Sequence, residues 1–328
     1  MHIPDGYLGP QTYGAFYGIM IPIWYWGSRK VKETLKSREV PLLALGSAFS
    51  FVIMMFNVPA PGGSTGHAVG GAFIAILLGP WHALMSLTVA LIIQSLLFGD
   101  GGVTAIAANC FNMAFVMPFT AYFIYWVVKG SADISSRRGL VAAFMAGYIS
   151  LNIAALLTAI EFGIQPFIAR GSNGEPLYCP YPLSITIPVM GFEHLAIFGW
   201  IEGGVTALVL SSIAKIEPAL IVKEVKLNKL WLFIGILILL TPLGLIAQGT
   251  SWGEWSGEEL KRILGFIPEG LKNLENIWNT FLSGYTIPGW EGPLLQSLGY
   301  ILSAIIGVVI VAGVIFMIGK LLSFWEEN

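Results

Sequence analysis

Charged residues are scarce in this chain. Only 11% of its 328 residues are charged, against roughly 25% in a typical soluble domain, and the net charge is −2. Hydrophobic residues make up 55%, and the mean hydropathy is +0.75, which excludes an ordinary soluble fold. The slight negative balance argues against nucleic acid as a partner. We therefore expect an all-α polytopic membrane protein, because helices satisfy their own backbone hydrogen bonds in lipid.

Cysteines and catalytic motifs are scarce as well. Cys110 and Cys179 form no CxxC pair; Cys110 is predicted to pack in an apolar stretch and Cys179 to lie in an exposed loop. A GxxxxGK[ST] phosphate loop is missing, so ATP hydrolysis by that route is not expected. An HExxH motif is missing too, which leaves an intramembrane zinc protease without support. The first residues do not resemble a secretory signal peptide.

Nine apolar segments follow one another along the chain, and each is a predicted helix. They cover residues 11–28, 41–57, 67–79, 81–98, 103–128, 139–161, 183–214, 230–248 and 293–319. The third is short for a crossing, and Gly79-Pro80 after it predicts a tight turn or a re-entrant pair. The prediction is about nine transmembrane helical segments.

Basic residues indicate the orientation, because they concentrate on the cytoplasmic side of membrane proteins. With nine crossings and an outer N-terminus, thirteen of them fall inside, namely Arg29, Lys30, Lys32, Lys36, Arg38, Lys129, Arg137, Arg138, Lys215, Lys223, Lys226, Lys229 and Lys320. Four fall outside, namely Arg170, Lys261, Arg262 and Lys272. We therefore expect the N-terminus outside and the C-terminus inside.

The character of the segments changes near residue 220. Glycine-rich helices with polar residues occupy 1–217, which we interpret as the functional core, and plain aliphatic helices occupy 230–328. The second part is predicted to be a two-helix module with an extracytoplasmic insert at 249–292, which contains short amphipathic helices.

Four histidines are candidate ligands. His2 and His67 are both expected near the outer face, since His67 opens a helix after the glycine-rich loop at 58–66. His82 and His194 are interpreted as packed or hydrogen-bonded structural residues.

The first two residues, Met1 and His2, have chelating chemistry of their own. The amine of Met1, the amide nitrogen of His2 and its Nδ1 close a five-membered and a six-membered ring around one ion, nearly in one plane. A nitrogen of His67 completes a square, which Ni(II) and Cu(II) prefer. Histidine at position 2 is bulky, so Met1 is expected to persist with a free amine. The alternative is an incidental polar terminus.

Four stretches resemble one family. They are MHIPDGYL, GGSTGHAVGG, HALMSLTVALIIQSLLFGDGGVTAIAANCFNMAF and GFEHLAIFGWIEGGVTALV. Together they are similar to the CbiM/NikM family, the substrate-capturing (S) components of energy-coupling-factor (ECF) importers for nickel and cobalt. The resemblance covers most of 1–215. It implies that Met1 (amine), His2 (amide and Nδ1) and His67 hold Ni(II) or Co(II) as the transported substrate.

The resemblance also implies partners and a location. A transmembrane coupling (T) protein and cytosolic ATPase subunits would work with this chain, in the cell (inner or cytoplasmic) membrane, and would drive release of the metal inward. The tail resembles a fused N-type helper, and its Pro268-Glu269-Gly270-Leu271 is similar to the PDGLE motif of such helpers. The alternative is that the tail only thickens the bundle.

Several polar residues are candidate supports. Asn109 or Asn112 is expected to orient His67 or to anchor the N-terminal loop, and a helix-packing hydrogen bond is the alternative. Asp5 is expected to shape the turn that folds the N-terminus back, and Asp100 is predicted to lie in an exposed turn.

An enzyme is the competing hypothesis. Glu193, His194 and Glu202 lie on one predicted helix, where they form either an active site, a transit site for metal or a buried hydrogen-bond network. No recognisable nucleophile and base accompany them. The choice between nickel and cobalt stays open, because Co(II) also accepts such a site.

Overall fold

The computed structural model describes residues 1–35, 39–216 and 227–324. Within these ranges nearly every element is a helix. Four basic residues of the orientation argument, Lys36, Arg38, Lys223 and Lys226, lie outside the described residues, as does the predicted change of character near residue 220.

The helices follow the apolar segments of the sequence. The α-helices are α1 Pro10–Thr34, α2 Val40–Ile53, α3 Gly71–Leu78, α4 Pro80–Ile93, α5 Ile106–Asn109, α6 Met117–Lys129, α7 Arg137–Ile168, α8 Leu183–Glu193, α9 Gly199–Ile216, α10 Leu227–Leu240, α11 Gly257–Leu264, α12 Glu269–Leu274 and α13 Pro293–Phe324. A short antiparallel pair, β1 Val58–Pro59 and β2 Thr65–Gly66, precedes α3. Two 3₁₀ turns, Thr241–Ile246 and Ser283–Tyr285, complete the element order.

Six helical stretches of the described ranges are long and apolar enough to cross a membrane. They are Pro80–Phe98, Ile106–Lys129, Arg137–Ile168, Leu183–Ile213, Asn228–Ile246 and Pro293–Leu321. Helix α2 is apolar but has 14 residues, and α3 has eight. Gly79 separates α3 from α4 at φ +96°, a value that favours glycine, and Pro80 begins α4. The predicted turn at Gly79-Pro80 is confirmed.

Three of the long helices contain a π-helical segment, in which one extra residue widens the turn. These segments are Gln94–Phe98, Cys110–Val116 and His194–Phe198. Such turns rotate the side chains that follow them relative to an ideal helix, and they are frequent at functional sites.

Helix α7 lies at the centre of the core, packed against α6, α8 and α9. Small residues allow the close approach. A Cβ at Gly147 would lie 2.9 Å from the carbonyl oxygen of Glu202 and 3.0 Å from the Cα of Gly203 on α9. Small residues at helix contacts let membrane helices gain van der Waals energy over long stretches.

The C-terminal helices pack directly on the core. Helix α13 lies along α2, and α10 contacts α2 as well. Gly307 of α13 leaves room for the Phe51 ring, which a Cβ at that position would overlap. Between α10 and α13, the insert forms α11 and α12, and a capping box of Ser256 and Glu259 begins α11. The short helices predicted in the insert are confirmed.

Candidate metal site

The N-terminal segment, residues 1–9, enters the end of the bundle instead of lying on its surface. Most of its side chains are buried, including His2 at 1% exposure and Ile3 at 0%, whereas Pro4 and Asp5 are partly exposed. Two backbone hydrogen bonds hold it, from Gly102 N–H to the Ile3 carbonyl (2.8 Å) and from Cys179 N–H to the Tyr7 carbonyl (3.1 Å). Cys179 is therefore buried, and the exposed loop predicted for it is wrong.

Asn109 forms two hydrogen bonds with the backbone next to His2. Its Oδ1 accepts from Ile3 N–H (2.8 Å), and its Nδ2 donates to the Ile3 carbonyl (3.1 Å). This pairing satisfies both polar groups of one buried residue, which would otherwise be costly. Asn109 thereby sets the position of the residue that follows His2.

Asp5 fastens the turn that brings the segment back out. Its carboxylate accepts from the N–H groups of Val103 (3.0 Å) and Thr104 (2.7 Å) and from the Thr104 hydroxyl. Gly102 must be small here, because a Cβ would lie 2.6 Å from the Pro4 carbonyl carbon. The residue after Asp5, Gly6, has φ +83°. The absence of a side chain at Gly102 therefore allows the loop before α5 to approach the N-terminal segment this closely.

His2 faces the carboxylate of Asp100, a residue that was predicted to lie in an exposed turn. Its Nδ1 lies 3.0 Å from Asp100 Oδ1, and its Nε2 has no hydrogen-bond partner among the described residues. Asp100 is largely buried, so the prediction of an exposed turn is wrong. Tyr285, from the C-terminal part of the chain, donates to Asp100 Oδ2 (2.6 Å), and Gln94 Nε2 donates to the Tyr285 hydroxyl (2.9 Å).

Charge keeps Asp100 ionised in this setting. Burial by itself would raise its pKa, but the neighbouring His2 and the hydrogen bond from the Tyr285 hydroxyl hold the pKa below its ordinary value. Burial and the neighbouring Asp100 raise the pKa of Tyr285, so the phenol stays a donor.

His67 lies beside His2, with 5.2 Å between the ring centroids. Its Nδ1 is 3.0 Å from the Ala68 carbonyl oxygen, so Nδ1 carries the proton and Nε2 keeps a free lone pair. Burial, followed by the electrostatic influence of His2 and the terminal amine, lowers the pKa of His67 to about 3. The imidazole is therefore neutral near pH 7, the form that binds metal.

The Met1 amine lies in the same region. It donates to Glu254 Oε1 of the insert at 3.1 Å. Met1 also borders a small cavity of about 10 Å³, whose lining includes His67, Glu193 and His194. Glu193 and His194 thus lie close to Met1, although their helix is distant from it along the chain, so local patterns could not predict this proximity.

Asn112 lies away from the N-terminal segment. Its Nδ2 donates to Thr158 Oγ1 (3.1 Å) and Glu161 Oε2 (3.0 Å) on α7. Of the two asparagines, Asn109 contacts the N-terminal segment. Asn112 makes the helix-packing hydrogen bond that was the alternative prediction.

The residues of the enzyme hypothesis have separate partners. Glu202 accepts from the N–H groups of Val69 (2.7 Å) and Gly70 at the start of α3, whereas His194 Nδ1 contacts the Met190 carbonyl (2.8 Å). Among the described residues, no three His, Cys, Asp or Glu side chains are arranged to hold a metal ion. A metal ion bound among the described residues would therefore need donors of other kinds as well, such as the Met1 amine.

Comparison with known proteins gives a consistent result for the core and for the C-terminal part of the chain. A family model described as the cobalt uptake substrate-specific transmembrane region, CbiM, matches residues 2–220, and a PDGLE domain matches residues 228–324. The chain is 43% identical to a fused nickel transport protein of Rhodobacter capsulatus, over 96% of each chain. It is 42% identical to a probable fused nickel transport protein of Lactiplantibacillus plantarum, over 94% of this chain and 95% of the relative.

A solved structure is similar as well. The crystal structure of a truncated transition metal transporter shares 47% identity with this chain and superposes with a TM-score of 0.61. The match covers 66% of this chain and 99% of that one.

Proposed function

Because the chain belongs to the CbiM/NikM family and carries a fused PDGLE domain, we propose that it is the metal-capturing component of an ECF importer for nickel or cobalt. It is a multi-pass membrane protein and a transport component, not an enzyme. In this proposal it binds Ni(II) or Co(II) and delivers it inward when partner subunits hydrolyse ATP.

The proposed ligands are four nitrogens. They are the Met1 amine, the His2 amide nitrogen, His2 Nδ1 and His67 Nε2. The observation that carries this proposal is the buried N-terminal segment, which places Met1 and His2 beside a neutral His67 whose Nδ1 is already engaged with a carbonyl. A metal-bound histidine usually donates its other ring N–H in this way.

Metal binding exchanges contacts in this site. The amine now pairs with Glu254, and His2 Nδ1 faces Asp100. Chelation requires His2 Nδ1 to exchange its contact with Asp100 for the ion. The amine and the amide must each lose a proton, so binding should release protons. Asp5 and Asn109 keep the backbone in place during this exchange.

The ion remains nickel or cobalt in this proposal. Four nitrogens in a plane favour Ni(II), and both relatives described above are named for nickel, whereas the family description names cobalt. Competition of the two ions for the purified protein would rank them.

The partner subunits of this chain are inferred from its family. We propose a transmembrane coupling protein and cytosolic ATPase subunits as partners, in the inner or cytoplasmic membrane. The core is proposed as 1–217, and the helper module as 230–328 with its insert at 249–292. Nine crossings with an outer N-terminus and an inner C-terminus are supported by the basic residues and by the insert, which meets the N-terminus at one end of the bundle.

The test is nickel binding by the full chain with an unmodified N-terminus. One extra residue before Met1 converts the amine to an amide and should abolish binding, and His2→Ala and His67→Ala should lower affinity at least about 100-fold. His82→Ala is the matched control, because His82 lies on α4, away from Met1. Unchanged nickel affinity in the extended protein would disprove this site.

A further inference from the structure

A polar cavity of about 450 Å³ lies between the N-terminal segment and the insert. Four carboxylates line it: Asp5 from the core, and Glu254, Glu259 and Glu275 from the insert. Its described lining contains no Lys or Arg. We call this cavity the acidic vestibule.

Two of these carboxylates, Glu259 and Glu275, are held in place by hydrogen bonds from uncharged donors. Glu259 accepts from Ser256 and Thr250 in the capping box of α11, and Glu275 accepts from Gly257 N–H (2.8 Å). Neither forms an ion pair with a basic side chain among the described residues. Hydrogen bonds from uncharged donors orient a carboxylate without neutralising it, so Glu259 and Glu275 contribute negative charge to the vestibule, although Arg262 also acts on Glu259 electrostatically.

The vestibule reaches the proposed ligands at two points. Glu254 lines it and also binds the Met1 amine at 3.1 Å. Gly101 lines it on the core side, and a Cβ there would lie 3.4 Å from His2 Cδ2. A single glycine therefore separates the vestibule from His2.

A buried hydroxyl in the wall also lacks a partner. Ser95 lines the vestibule at 2% exposure, and its Oγ has no hydrogen-bond partner among the described residues. A buried hydroxyl without a partner is costly unless water or a hydrated ion fills the space beside it. This observation is independent of the carboxylates and indicates a polar occupant.

We propose that the acidic vestibule collects the hydrated divalent cation and that Glu254 passes it to the terminal amine. This inference rests on the proposed metal site. Like charges around a concave polar space focus the field and raise the local concentration of the opposite ion. A cation held by Glu259 and Glu275 is drawn next to Glu254, where it weakens the ion pair with Met1 and frees the amine for chelation. Glu254 acts here as a positioning residue.

The experiment measures the rate at which Ni(II) binds the full chain, with an unmodified N-terminus, in a non-ionic detergent. Glu259→Gln and Glu275→Gln keep an acceptor oxygen, and glutamine also suits a capping box. Both single variants and the double variant are compared with Glu258→Gln, an exposed carboxylate in the same turn of α11 that does not line the vestibule.

The association rate constant of the double variant should be about 10-fold lower than that of the wild type and should depend less on sodium chloride. Each single variant should show part of the loss, and Glu258→Gln none. Glu254→Gln should also slow association. A merely structural role would raise the dissociation rate and leave the salt dependence of association unchanged.

Two results overturn the inference, and they are distinguishable. If the wild type binds Ni(II) but the vestibule variants associate at its rate and with its salt dependence, the vestibule has no role in capture and the proposed site survives. If the wild type does not bind Ni(II), or binds it equally with an N-terminal extension, the proposed function fails and the vestibule inference with it. Full stoichiometry at saturation identifies the variants that are folded.

Discussion

Two regions meet around the N-terminal segment, and they hold it in different ways. The core contacts its backbone through Asn109 and Gly102, which bind Ile3, and donates backbone N–H groups to the Asp5 carboxylate of the segment. The insert of the C-terminal module supplies mainly charged and phenolic groups, with Glu254 on the amine and Tyr285 behind Asp100. The core therefore determines where the nitrogens lie and supplies Asp100 beside His2, and the insert adds a second carboxylate at the amine and orients Asp100.

The largest effect is expected from the core. Asn109→Ala removes both side-chain hydrogen bonds to Ile3, so the segment loses its register and nickel affinity should fall about 100-fold. The measurement is isothermal titration with Ni(II). Asn112→Ala is the matched comparison, since it removes contacts to Thr158 and Glu161 and should lower thermal stability without a comparable loss of affinity. Equal losses of affinity in both variants would contradict the separation of roles.

A smaller effect is expected from the insert. Tyr285→Phe removes the hydrogen bond to Asp100, so the carboxylate that faces His2 is less well oriented, and nickel affinity should fall about 10-fold. Tyr300→Phe serves as its control, because the Tyr300 hydroxyl contacts the Met55 carbonyl instead (3.2 Å). A Tyr285→Phe protein with wild-type affinity would show that Asp100 needs no support from the module.

A purely structural contact between the regions should affect stability alone. The Tyr7 hydroxyl donates to the Trp255 carbonyl at 2.8 Å, which links the segment to the insert. Tyr7→Phe should cost about 1 kcal/mol of stability, the usual net value of such a bond, seen as a lower thermal midpoint. Nickel affinity should not change, and a clear loss of affinity would assign Tyr7 to the site itself.

The last prediction concerns the pH dependence of stability. The pKa of His67 is about 3 in the folded chain, against about 6.5 for a free imidazole. Between these values the unfolded chain binds a proton that the folded chain does not, so this contribution is present above pH 6.5 and is lost as the pH falls toward 3. The thermal midpoint of the wild type should drop more between pH 7 and pH 4.5 than that of His67→Gln. Equal drops would indicate that His67 titrates normally.

Local sequence was sufficient for the helices and for the proposed ligand set. Each apolar segment recurs as helix, and Gly79-Pro80 interrupts them where predicted, because these preferences act within a few residues. The chelating nitrogens of Met1 and His2 are joined by covalent bonds, so their geometry needs no tertiary structure. The metal ligands themselves remain a prediction.

Burial was harder to predict. Asp100 and Cys179 were both expected in exposed turns, and both are covered by the inserted N-terminal segment and its surroundings. Glycine and polar neighbours indicate a turn, but they do not say whether another part of the chain will cover it. The signal for Asp100 was the cost of a carboxylate beside apolar helices, which requires a partner.

The sequence alone determined the class of this protein, its helices and the chelate that its first two residues are able to form, since hydropathy and covalent chemistry are local properties. Only the tertiary structure decided which groups face that chelate. Glu254 meets Met1 across 253 residues, Asp100 meets His2, and π-helical segments turn the helices that surround them. Such contacts depend on how whole helices pack, and a pattern of single residues does not encode them locally.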